Sequence, residues 1–284
     1  MILVICGPTG VGKTKLSIEL AKKYQAIIIN ADACQIYDEM NIGTAKITSR
    51  EMEGIKHYLL NIRNISEEYN IFEYQKDGRK IIEENLDKNI IIVGGSGLYI
   101  SALLYDYNFK ERKEIDLNNY SNDELYDMVL SINKDVDVDK NNRVRLENYL
   151  KSGVVNTEKP NLLYDALFIS LTTDRKILYK KINDRVDEML ENGLLEEVRY
   201  LYDKDKNSKI LHSAIGYKEI IKYLNSEISL TEAIDLIKKN SRHYAKRQYT
   251  WFNNKINVNW FNTDYVNFNN TIKEVNKYIE KNCK

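Results

Sequence analysis

Gly7-Pro8-Thr9-Gly10-Val11-Gly12-Lys13-Thr14 satisfies the pattern G-x-x-x-x-G-K-[ST]. Residues of these types at this spacing hold phosphate. The glycines let backbone N–H groups turn inward onto phosphate oxygens, and the following helix adds the positive end of its dipole. Lys13 is placed to neutralise phosphate charge, and the Thr14 hydroxyl to ligate Mg²⁺. The whole run Gly7, Pro8, Thr9, Gly10, Val11, Gly12, Lys13 and Thr14 is therefore the candidate diphosphate site, with Thr14 as metal ligand. Such a loop does not say which bond breaks. It serves a phosphoryl group that moves and a diphosphate that departs equally well.

A second group of chemically able residues lies in Asn30-Ala31-Asp32-Ala33-Cys34-Gln35-Ile36-Tyr37, with Asp32 18 positions after Thr14. Asp32 can hold Mg²⁺, act as a general base or cap a helix, and its position alone leaves these open. Gln35 is suited to hydrogen-bond a base edge, and Tyr37 to stack on a ring. A third group is basic. Leu236 to Thr263 contains no acidic residue but carries Lys238, Lys239, Arg242, Lys246, Arg247 and Lys255 among aromatic residues. On a helix Arg242, Lys246 and Tyr249 fall at i, i+4 and i+7, the footprint of a phosphate-binding face. The same pattern also describes an ordinary solvated helix. Trp251 and Phe252 are read as core. The three histidines, His57, His212 and His243, lack metal-ligand spacing and are read as structural or surface residues.

These groups need a scaffold. Short apolar runs at Ile2 to Cys6, Ala26 to Asn30, Asn89 to Val93 and Ala166 to Leu171 read as buried strands. Helical periodicity fills the intervals at Lys13 to Tyr24, Glu73 to Asn85 and Asp174 to Tyr202, and most of the C-terminal third. Alternation of this kind predicts an α/β fold, a parallel sheet of the phosphate-loop NTPase type with helices on both faces. In such a sheet the strands' carboxyl ends face the ligand, which brings Asp32 near the phosphate loop. The stretch from Tyr107 to Pro160 is polar with sparse apolar residues and reads as a helical insertion. The expected division is a core of 1–107 and 163–284, with an insertion domain of 108–162.

The chain has 284 residues, 43% hydrophobic and 30% charged, with 42 basic and 42 acidic side chains. This composition fits a globular, not a disordered, protein. No run approaches the ~20 apolar residues of a membrane span, and the start lacks a basic leader. Cys6, Cys34 and Cys283 form no C-x-x-C pair and are expected to be reduced thiols in the cytoplasm.

With these residues in view, the sequence resembles the bacterial tRNA dimethylallyltransferases, also called tRNA isopentenyltransferases. The likeness is carried by Asp32-x-x-Gln35-x-Tyr37, Asn41-Ile42-Gly43-Thr44-Ala45-Lys46, His57 to Ile62, Tyr69 to Gln75 and Gly94-Gly95-Ser96-Gly97-Leu98-Tyr99-Ile100. It continues through Asp184-Arg185-Val186-Asp187, Gly193-Leu194, Ala214 to Glu219 and Ala245-Lys246-Arg247-Gln248-x-Thr250-Trp251-Phe252. Ala33 stands where the family usually has serine, and Asn141 to Glu147 replaces a more arginine-rich stretch.

The resemblance implies transfer of a dimethylallyl group from dimethylallyl diphosphate to N6 of the adenosine 3′ of the anticodon. Asp32, Thr9 and Lys13 would be catalytic. Asp32, Ala33, Cys34, Gln35, Ser96, Arg242, Lys246 and Arg247 would contact the anticodon stem-loop. Mg²⁺ would be the cofactor, the enzyme a monomer. A small-molecule or nucleotide kinase, or an isopentenyltransferase of free adenine nucleotides, are the competing readings. A kinase normally adds an Mg²⁺-holding aspartate after a strand. The run Ile90 to Val93 ends instead in Gly94-Gly95.

Overall fold

The structure, a computed structural model, describes residues 1–107, 115–136, 138–152 and 161–282. The chain divides into two compact units, Met1–Leu104 with Tyr164–Lys284, and Tyr105–Leu163. Along the chain run β1 (Ile2–Cys6), α1 (Lys13–Tyr24), β2 (Ala26–Asn30), β3 (His57–Tyr58), α2 (Ile71–Glu83), β4 (Asn89–Val93) and α3 (Gly97–Leu104). The second unit holds α4 (Asn122–Ile132) and α5 (Arg143–Ser152). Then come β5 (Ala166–Thr172), α6 (Arg175–Glu191), α7 (Leu194–Lys204), α8 (Lys209–Ser213), α9 (Tyr217–Leu224), α10 (Leu230–Asn254), β6 (Asn259–Asn262) and α11 (Phe268–Asn282).

The six strands form one sheet in the order β3-β2-β4-β1-β5-β6, and every pairing is parallel. Strands β1 and β2 are buried along their whole length, which is why they read as unbroken apolar runs. The register pairs Ile5 with Val93, Asn30 with Val93 and Cys6 with Ser170. The loops after β1, β2 and β4 therefore leave the same edge of the sheet. Two backbone bonds tie the segments after β2 and β4: Ala31 N to Val93 O at 2.8 Å and Ser96 N to Ala31 O at 3.1 Å.

On one face Leu16 and Leu20, Leu178 and Ile182, and Val275 and Ile279 close over Leu3, Ile5, Ile28, Ile91 and Ile169. Each such side chain contributes about 1.5–3 kcal/mol on burial, so the loops stand on a stiff base. The C-terminal segment reinforces it. Thr263 Oγ1 donates to Val11 O at 2.8 Å, and Tyr265 Oη donates to Gly10 O at 2.9 Å.

Several elements differ from the sequence reading. The helix expected at Glu73 begins at Ile71, because Asn70 caps it and Glu73 returns a bond to the cap's N–H. The helix expected to run unbroken from Asp174 to Tyr202 stops at Glu191. Gly193 adopts φ 97° and separates α6 from α7. Strands β3 and β6 were not anticipated. They are two and four residues long at the two edges of the sheet, too short to carry a periodic signal.

In the second unit Leu117, Leu125, Val129, Leu146 and Tyr149 form a small core. Ser121 and Glu124 make a capping box for α4. Arg143 donates to Tyr120 O and Leu117 O, each at 2.8 Å, so it knits this unit internally. Among the described residues no helix is long and apolar enough to cross a membrane.

Candidate active site

The converging loops enclose a cavity of about 670 Å³. That volume falls within the range of small-ligand pockets. The phosphate loop forms one wall. Gly7, Gly10 and Gly12 hold φ values of 122°, 85° and 90°, which turn the loop back on itself. Thr9, Gly10, Gly12, Lys13 and Thr14 line the cavity. The Val11 side chain lies in the core, and Pro8, which has no N–H, offers its carbonyl to Lys13 Nζ at 2.7 Å. These two therefore shape the loop without donating to an anion through a side chain or, for Pro8, through an amide. Burial pulls the Lys13 ammonium down to about 8, and neighbouring Asp32 opposes that fall.

The second wall is the segment after β2. Asp32 lines the cavity, and its backbone is fixed by Asn30. Asp32 N donates to Asn30 Oδ1 at 3.1 Å, and Asn30 Nδ2 donates to Asp32 O at 3.0 Å. Asn30 is buried, and Tyr74 Oη donates to its carbonyl at 2.9 Å. Cys34 N donates to Asp32 Oδ1 at 3.0 Å, so Asp32 caps a turn and not a helix. Among the described residues its second oxygen accepts no hydrogen bond. Ser96 Oγ accepts from Ala33 N at 3.2 Å and so holds the loop from the β4 side. Gln35 lines the cavity with Nε2 donating to Thr44 O at 3.1 Å. Burial pushes the Cys34 thiol up to about 12, with Asp32 adding to the rise, so it stays a thiol at neutral pH.

Two residues that the sequence reading assigned no role stand at the centre. Arg185 of α6 donates to Thr9 Oγ1 at 3.3 Å and to Thr44 O at 3.4 Å. Burial lowers its pKa from the ordinary arginine value, while Asp32 raises it. Gln248 of α10 accepts from Thr9 N at 3.0 Å and donates to Gly95 O at 2.9 Å, pinning the phosphate loop to the turn after β4. Both carried a signal. Leu178, Ile182 and Arg185 occupy one helical stripe, as do Ala245, Gln248 and Phe252. A polar group where periodicity calls for an apolar one marks a buried polar contact. Tyr244 and His57 also line the cavity, and burial lowers the His57 pKa.

Tyr37 is only 6% exposed and is not available to stack on a bound ring. Its carbonyl instead accepts from the buried Lys46 Nζ, whose pKa burial draws down to about 8. The basic stretch of α10 also differs from expectation. Arg242 turns inward and donates to Asn183 Oδ1 at 2.6 Å. Tyr249 stacks on Trp260 at 5.4 Å and bonds Thr172 Oγ1. The exposed basic face is formed by Lys246 and Arg247, which with His243, Trp251 and Lys255 border a shallow hollow of about 510 Å³. Phe252 is fully buried as expected; Trp251 packs against Gly97. Cys6 and Cys34 are free thiols, and Cys283 lies outside the described residues.

The chain matches the IPP transferase family model over residues 35–255. It is 42% identical to the tRNA dimethylallyltransferase of Staphylococcus carnosus, over 99% of this chain and 97% of that one. The crystal structure of the tRNA isopentenylpyrophosphate transferase of Bacillus halodurans superposes with a TM-score of 0.79 at 37% identity, covering 99% of this chain and 95% of that one. A eukaryotic dimethylallyltransferase, captured acting on tRNA, gives 0.85 at 28% identity, covering 99% and 79%. The phosphate loop, the fixed carboxylate beside it and these matches agree, and the chain belongs to the IPP transferase family, the tRNA dimethylallyltransferases.

Proposed function

We propose that the protein transfers a dimethylallyl group from dimethylallyl diphosphate to N6 of the adenosine 3′ of the anticodon in tRNA, releasing diphosphate. One observation carries the reading. Asp32 lines the same cavity as the phosphate loop, with one oxygen uncommitted, where a kinase would need a metal-holding acid after β4. In this reading the diphosphate lies against the amides of Gly10 to Lys13, with the Lys13 and Arg185 cations beside it. A base stacked in RNA is out of reach, so the adenosine is flipped into the cavity toward Asp32 and Gln35. N6 attacks C1 of the allyl group as the C1–O bond breaks. The N6 proton passes to Asp32, and the electron pair leaves with the diphosphate. Donors aimed at developing charge are worth about 3–4 kcal/mol each, which is what Lys13, Arg185 and the loop amides would supply.

Mg²⁺ suits the donor set. The exposed Thr14 borders the cavity, and among the described residues no group of three His, Cys, Asp or Glu could hold a metal alone. Diphosphate oxygens and water would complete the shell, as Mg²⁺ prefers. Bound there, the ion would neutralise charge on the departing diphosphate. Exposed Lys246 and Arg247 would meet the phosphates of the anticodon stem. The same reading has the enzyme work in the cytoplasm, where its tRNA is found, and as a monomer.

The test is direct. The protein is incubated with unmodified tRNA and dimethylallyl diphosphate, and the nucleosides are separated by mass. Isopentenyladenosine is expected from tRNA and not from free adenosine monophosphate. Modified nucleotide monophosphate with unmodified tRNA would reverse the assignment of acceptor.

A further inference from the structure

The turn Asn41–Thr44 ends at Thr44 on the cavity's second wall, and its conformation is imposed from outside. Three successive amides converge on one carboxylate. Asn41 N and Ile42 N donate to Glu197 Oε2 at 3.0 and 2.7 Å, and Gly43 N donates to Glu197 Oε1 at 3.0 Å. Tyr217 Oη adds a fourth donor at 2.6 Å. Consecutive amides of this kind form an anion-binding nest, and here the protein fills the nest with its own side chain. The Tyr217 ring closes over the turn so tightly that a Cβ on Gly43 would lie 2.5 Å from it. Further along the same face of α7, Tyr200 Oη donates to Glu39 Oε1 at 3.0 Å, and Lys204 pairs with the other oxygen.

What the turn presents is the Thr44 carbonyl. It accepts from Gln35 Nε2 at 3.1 Å and from Arg185 Nη2 at 3.4 Å. One oxygen thus touches the side chain placed for the base and the cation placed for the diphosphate. We infer that Glu197 is a positioning residue for both substrates: by holding residues 41–43 it sets the Thr44 carbonyl, and through it the orientation of Gln35 and Arg185. This inference rests on the transferase reading above.

Pyrophosphate binding tests it without requiring transfer. Calorimetric titration of Glu197→Gln with Mg²⁺-pyrophosphate should show affinity lower by about 10- to 100-fold, the scale of a displaced catalytic group. KM for dimethylallyl diphosphate and for tRNA should both rise. In an Arg185→Ala background the Glu197→Gln substitution should add little to the loss of pyrophosphate affinity. Tyr217→Phe keeps the ring over Gly43 and removes one of the four donors, so it should show the same pattern at a few-fold, even if Glu197→Gln does not fold. A lowered melting temperature with wild-type pyrophosphate affinity in the folded protein would overturn the proposal. So would an equal loss with and without Arg185. If the wild type binds pyrophosphate but does not prenylate tRNA, the transferase reading fails while the binding arms still decide the role of Glu197.

Discussion

The two loops that face each other across the cavity are held in opposite ways. The phosphate loop makes its own shape. Three glycines take its positive φ angles, and Lys13 reaches back five residues to Pro8. The loop from Asp32 to Lys46 does not. Its left-handed positions are Glu39 at φ 61° and Ala45 at φ 43°, neither a glycine. Such backbone costs about 1–2 kcal/mol per residue. The offset comes from distant partners: Glu197, Tyr200 and Lys204 of α7, Arg185 of α6, and Lys46 bonded to Asn61 Oδ1 at 2.6 Å. A hydrogen bond to a charged group contributes about 1.5–3 kcal/mol, enough for these contacts to hold the strained turn. A loop that must cradle any diphosphate can be written as a local motif. A loop that must aim a base and a side chain at one acceptor is held from several elements, so its geometry depends on the whole unit.

The largest expected effect lies where the loops meet. Asp32→Ala should lower the transfer rate by about 10²–10⁴-fold, the usual worth of a general base, with tRNA binding and melting temperature near wild type. Transfer at close to the normal rate would remove Asp32 from the chemistry.

A smaller effect probes the phosphate loop alone. With its pKa drawn to about 8, Lys13 carries its charge below that pH and loses it above. The value of kcat/KM for the diphosphate should therefore hold up to about pH 8 and fall at higher pH. Lys13→Arg keeps the charge throughout and should remove that fall. A fall that persists unchanged in the variant would remove Lys13 as its cause.

The smallest effects belong to the exposed face of α10. Lys246→Ala or Arg247→Ala should weaken tRNA binding several-fold and flatten its salt dependence by roughly one phosphate contact. Arg242→Ala should change that slope little, because Arg242 is committed to Asn183. Filter binding across a salt series separates the two patterns.

The contrast between the loops also explains what could be read from the sequence. The strands β1, β2, β4 and β5 were legible because a parallel sheet covered on both faces favours near-continuous apolar runs. The cavity's position followed from the rule that strand carboxyl ends face the ligand. Asp32 was visible as an acid at such an end. The roles of Arg185 and Gln248 were not read, although each interrupts an apolar stripe. Their partner Thr9 lies 176 and 239 positions away. The direction of Arg242 and the burial of Tyr37 depend on neighbours that helical spacing does not contain. The break at Gly193 was hidden because the apolar period continues on both sides of it.

On the proposed reaction the phosphate loop holds a leaving group and not a phosphoryl donor. This is tested by following the phosphorus. With tRNA and dimethylallyl diphosphate present, and ATP either absent or added, release of inorganic pyrophosphate and orthophosphate is measured beside prenyl transfer. One pyrophosphate per modified adenosine is expected, with no dependence on ATP. Orthophosphate release that requires ATP, with no pyrophosphate matching the modified tRNA, would contradict it.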